Sequence, residues 1–127
     1  MTEATINVST ANQLESIKAL QSAIRKSEKA LAQMTAKGAE TTLLKKRLKA
    51  LYIGLAVLEN VWNQRPHSYS KEDLAEARDV LRGLFPSIET IYAKSKAGSP
   101  QRTLIERRMK ALELAVQAID DLSSEAR

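Results

Sequence analysis

TLLKKRLKAL, residues 42–51, returns as TLIERRMKAL at residues 103–112. Six of the ten positions are identical at an offset of 61. Leu44/Ile105, Lys46/Arg107 and Leu48/Met109 differ only conservatively. A shared apolar stripe accounts for the matching leucines. It does not require Thr42/Thr103, Arg47/Arg108 and Lys49/Lys110 to match as well. The register continues without a gap to Leu58/Ile119 and Glu59/Asp120. Backwards it pairs Leu20/Leu81, Ile24/Phe85, Glu28/Glu89 and Ala32/Ala93. Each half therefore reads as a helix, a short turn and a second helix.

Apolar spacing gives the same picture. Ile17, Leu20, Ile24, Leu31 and Met34 recur at intervals of three, four or seven, which puts them on one helical face. Lys37-Gly38 ends that helix, with glycine just beyond the last turn. A second stripe runs Leu44, Leu48, Leu51, Leu55, Leu58, Trp62, with Ala50, Gly54, Val57 and Val61 beside it. Pro66 closes it. Ser70 followed by Asp73 resembles a capping box. The third stripe, Leu74, Ala77, Leu81, Leu84, Ile88, Ile91, stays in phase across Pro86, so a kink is expected there and not a reversal. Gly98-Ser99-Pro100 marks the next boundary, with Ser99 as a cap and Pro100 at the first helical position. The fourth stripe is Ile105, Met109, Leu112, Val116, Ile119.

A lone hairpin cannot bury its apolar face, whereas two stacked hairpins can. The predicted fold is all-α: an antiparallel, up-down-up-down four-helix bundle built from two duplicated helical hairpins. Residues 1–10 are expected to form a flexible tail. Residues 11–127 form one domain, with hairpins over 11–63 and 70–125.

Composition agrees and narrows the function. The 127 residues are 43% hydrophobic but only 4% aromatic, so the core is mostly aliphatic. There is no cysteine, which excludes disulfides and thiolate metal sites and fits a reducing cytoplasm. The N-terminal segment has no secretory pattern, and no apolar run spans a bilayer. No membrane association is expected.

The net charge is +5. In the predicted topology both turns, near Gly38 and Gly98, share one end. Residues 25–50 and 86–111 flank those turns. They carry 14 Lys and Arg against four acids, net +10, and the rest of the chain is net −5. A basic tip and an acidic base follow. Cations at the ends of the first and third helices suit the helix dipole. Lys45, Lys46 and Lys49 do not, nor do Arg107 and Lys110, because they occupy early helical turns. These five residues, with Arg102 beside the Ser99-Pro100 helix start, are the candidates for binding an anion or a partner. Solvated surface is the competing reading. Arg47 and Arg108 align with Ala50 and Ala111 and are expected at helix seams, stems buried, where Glu28 and Glu89 are available to pair with them.

Sites of chemistry are scarce. His67, the only histidine, lies in a polar loop. A metal site and a catalytic triad need more than one imidazole. Glu72, Asp73, Glu76 and Asp79 read as a solvated helix face, and no glycine-rich phosphate loop is present. Neither a cofactor nor catalysis is expected. The functional expectation is a small, non-enzymatic interaction or regulatory protein that meets a protein partner through its charged poles. The alternative is nucleic-acid binding by the basic turn end, where Tyr92 is the main stacking candidate. Self-association as a homodimer is a third.

Overall fold

A computed structural model describes residues 8–125. All regular structure among them is helical: α1 (Thr10–Ala36), α2 (Thr42–Asn63), α3 (Lys71–Gly83), α4 (Phe85–Lys94) and α5 (Pro100–Glu125). α3 and α4 follow one another across Leu84, so the five segments make four packed rods. The chain is all-α.

Each boundary has a local cause. The Ser9 hydroxyl accepts from Asn12 N–H, starting α1 one residue before the expected position. Gln13 Nε2 donates to Val8 O, and Val8 packs on the core. The structured chain thus extends into the segment expected to be a tail, while residues 1–7 lie outside the described residues. Gly38 (φ 73°) and Gly98 (φ 77°) take the left-handed conformation after α1 and α4, which a side chain would resist. Ser70 and Asp73 form the capping box at α3: Asp73 N–H donates to Ser70 Oγ (3.1 Å), and Ser70 N–H to Asp73 Oδ2 (3.3 Å). Ser70→Ala is expected to cost about 1 kcal/mol. It should lower the urea midpoint without changing the slope. Ser99 Oγ accepts from Arg102 N–H at the start of α5.

The break between α3 and α4 is mild. Leu84 keeps helical angles (φ −80°, ψ −22°), and Ile88 N–H still reaches Leu84 O. Pro86 lacks the N–H that would continue the ladder. The chain does not reverse there, and α3 and α4 both pack on α5.

The core is aliphatic. Leu20, Val57, Leu58, Leu81, Ala111, Leu112, Ala115 and Ile119 are fully or almost fully buried. α2 and α5 are the central pair and pack directly on each other. α1 packs on α2 and α5, and α3 packs on the same two. Where α2 meets α5 the approach is very close: a Cβ added at Gly54 would stand 3.3 Å from Ala115 Cβ and 3.3 Å from Leu81 Cδ1. α4 touches α3 and α5 only, and makes no packing contact with α1 or α2 among the described residues. No helix among them is long and apolar enough to cross a membrane.

Candidate functional site

Three of the six candidate cations, Lys49, Arg102 and Arg107, have direct partners within the chain. Lys49 Nζ pairs with Asp73 Oδ1 at 3.2 Å. That bond, and then the Ser70 N–H, hold the Asp73 carboxyl below the usual carboxylate range. The stabilisation is present at neutral pH and fades as the pH falls through the lowered value. Arg107 Nη2 lies 3.3 Å from Glu15 Oε1. Arg102 stacks on the Tyr92 ring at 4.1 Å from the centroid, and its Nη1 donates to Ser95 O. These contacts tie the start of α5 to the end of α4. Lys45 stands near Glu40, whose carboxyl is lowered mainly by the Thr42 hydroxyl and N–H. Lys46 and Lys110 are exposed. Asp73 and Glu15 come from the acidic part of the chain, so the two charge sets meet along the helices.

Nor do the seam arginines behave alike. Arg47 is exposed, and Glu28 accepts its hydrogen bond from Tyr52. Arg108 is half-buried between α5 and α1. Its Nε is shielded from solvent and has no hydrogen-bond partner. Burial pushes its pKa down, yet a guanidinium remains charged at any ordinary pH. Glu89 does not reach it; Glu89 lines a surface on another flank of α5, beside Glu113 and Gln117. The two arginines differ in what lies beside them: α1 residues line the groove around Arg108, whereas α4 packs on α5 and makes no packing contact with α2 among the described residues.

Around Arg108 lies a groove that the sequence reading missed. It has a volume of about 580 Å³ between α1 and the first half of α5. Ala19 and Ser22 are among the α1 residues that line it, and Lys18, Arg25, Lys26, Arg107 and Arg108 contribute five cations. Glu15 is the single acid, and it is paired with Arg107. Lys18, Arg25, Lys26 and Arg108 have no carboxylate partner among the described residues. A second hollow of about 210 Å³ shares Lys26, Leu104 and Arg108 and runs on to Ile88 and Ile91 of α4. Leu104 is 58% exposed and Ile91 49%. Leu43, which aligns with Leu104 in the repeat, is exposed too (60%), so the core demands leucine at neither position. Leu104 lines the groove together with the cations.

The signal for this groove was present but scattered. Lys18, Arg25 and Lys26 belong to α1, whose charges fall between the apolar positions of its stripe. Nothing in the spacing says that they face α5.

Removing the unpaired guanidinium should help the fold. Arg108→Met keeps the stem and the helix propensity and deletes a shielded donor with no acceptor. The variant is expected to gain about 1 kcal/mol in urea unfolding. A loss of similar size would mean that Arg108 holds α1 to α5.

No group of three or more His, Cys, Asp or Glu side chains is placed to hold a metal ion among the described residues. Half-buried His67 accepts the Tyr69 N–H at Nδ1 and stacks on the Tyr69 ring, bracing the loop between α2 and α3. Fold and site together define an all-α protein of four packed helices with a cation-lined groove. No protein-family profile matches the chain, and neither a curated protein nor a solved structure matches it significantly.

Proposed function

We propose that this chain is a non-enzymatic interaction protein that binds an acidic protein partner through its cation-lined face. The observation that carries the reading is the convergence of Lys18, Arg25, Lys26 and Arg108 on one groove without carboxylates of their own. A folded chain gains nothing from gathering like charges around an arginine whose Nε is shielded and unpartnered. Such an arrangement suits a surface completed by an anionic partner, and it speeds encounter with one.

The architecture behind this reading is a duplicated hairpin in up-down-up-down order, with both glycine turns at one end. Burial supports it. Leu20/Leu81, Ala50/Ala111, Leu51/Leu112, Gly54/Ala115 and Leu58/Ile119 are all buried pairs at the 61-residue offset. The caps Ser9 and Ser70 obey the same offset. Gly54 meets Ala115, its own counterpart, as positions on a local twofold axis would.

Protein is favoured over nucleic acid as the partner. Tyr92, the stacking candidate, has a ring face taken by Arg102 and its hydroxyl donated to Glu106. Exposed leucine and isoleucine beside the cations suit a protein surface better than a sugar–phosphate chain.

The test is a tagged capture from native lysate, with and without nuclease, using wild type and the double variant Arg25→Glu/Lys26→Glu. Nuclease-resistant protein capture that the double variant loses supports the proposal. Capture equal in both proteins, or abolished by nuclease, overturns it.

A further inference from the structure

We infer that the groove between α1, α4 and α5 is a docking site for an amphipathic helix of a partner protein, with carboxylates on one flank and leucine-like side chains on the other. This rests on the proposed protein-binding function and names the form of the ligand. Three features of the groove specify it.

The first is the spacing of charge. Lys18, Arg25 and Lys26 occupy positions i, i+7 and i+8 of one helix. They therefore extend over about 12 Å along α1. A single phosphate or carboxylate cannot meet cations spread over that length. Acidic residues repeating along one face of a helix can, because their rise per turn is the same as that of α1.

The second is the adjoining apolar strip. α1 and α4 both lean on α5 without packing on each other, and the exposed surface of α5 between them carries Leu104. Ile88 and Ile91 form the α4 wall. The strip continues directly from the cations, through the shared residues Lys26 and Arg108. A ligand that fills both hollows must be charged along one edge and apolar along the next, the pattern of an amphipathic helix laid in a groove.

The third is Arg108 at the junction. Its shielded Nε has no acceptor within the chain. Arg108 is only half-buried, and a carboxylate laid over the groove can accept from the terminal nitrogens of its guanidinium; a charge-assisted bond of that kind is among the strongest polar contacts. Arg107 is also available, because its exposed pair with Glu15 is of a type that contributes little and is readily exchanged.

The probe is a fluorescein-labelled helical peptide of about 15 residues, long enough to hold some helix. It carries leucine at i, i+4 and i+7 and glutamate on the adjacent face. Its binding to the full chain is followed by anisotropy at low and physiological salt. Wild type is expected to bind, with Arg25→Glu/Lys26→Glu and Leu104→Glu each weakening the affinity at least about tenfold. Lys45→Glu/Lys46→Glu makes the same change in net charge outside the groove and should weaken it less than about threefold. Leu104 is exposed, so Leu104→Glu is expected to stay folded, which circular dichroism checks.

Equal weakening by both charge-reversal pairs would show binding to net charge and overturn the inference. So would equal affinity for a peptide with its leucines replaced by serine, or groove-dependent binding of an oligonucleotide in place of the peptide. Concentration-dependent dimerisation lost in Arg25→Glu/Lys26→Glu would seat a second copy there and also overturn it. Failure of the peptide beside an intact, nuclease-resistant capture from lysate would leave the protein-binding function standing and remove only its helical ligand.

Discussion

Gly54→Leu is expected to lower stability by about 3 kcal/mol, at the upper end of the usual range for overpacking a core. For a chain of this size that corresponds to a fall in Tm of roughly 12 °C. Gly54 is buried where α2 meets α5, and even a methyl group there would contact Ala115 Cβ and Leu81 Cδ1 at 3.3 Å. Leu81 can turn its side-chain tip, but the Ala115 Cβ is fixed to the α5 backbone. The three further carbons of leucine must therefore push the two central helices apart. α1 and α3 both pack on that pair, so the separation loosens the contacts of every rod. Gly54→Ala should stay within about 1 kcal/mol of wild type, because relief of the helical glycine offsets the tight contact. Thermal and urea unfolding of the two variants decide the matter. A Gly54→Leu protein as stable as wild type would mean that α2 and α5 do not meet there.

The second large effect is at Leu20 and Leu81. Both are completely buried, one on α1 and the other on α3. Leu→Ala at either position deletes buried carbons and leaves a cavity, costing about 3 kcal/mol within the known span of 2–5. If the two hairpins are duplicates, the costs should agree to within about 1 kcal/mol, since surroundings decide the spread at fixed chemistry. Leu43→Ala and Leu104→Ala are the controls. Both side chains are more than half exposed and should change stability by no more than about 0.5 kcal/mol. A small cost at Leu20 with a large one at Leu81 would mean that α1 is not packed into the core.

The proposed groove and these core positions bear on separate properties. Arg108→Met should make the protein more stable and a poorer binder. A group kept at the expense of the fold is better explained by what it contacts than by what it supports.

Much of the architecture could be read from local signals. The stripes named Leu20, Leu48, Leu51, Leu58, Leu81, Leu112 and Ile119 as core-facing, and all are buried. Gly38, Ser70, Gly98 and Ser99 marked helix ends through chemistry that acts within a few residues. The site was less legible. Lys49 and Arg107 looked uncompensated because Asp73 and Glu15, which pair with them, lie 24 and 92 residues away in the chain. Glu28 looked available to Arg47 and instead serves Tyr52.

From the sequence alone came the helices, most of their ends and much of the buried face, because helix periodicity and capping depend on neighbours within two turns. Ile91 of the third stripe nevertheless stands exposed. Tertiary packing decided the fate of the charges. Side chains that project between apolar stripes face whichever helix arrives beside them, and beyond Pro86 α4 packs on α5 and not on α2. Arg47 is left exposed, Arg108 lies half-buried beside α1, and the groove opens between α1, α5 and the isoleucines of α4.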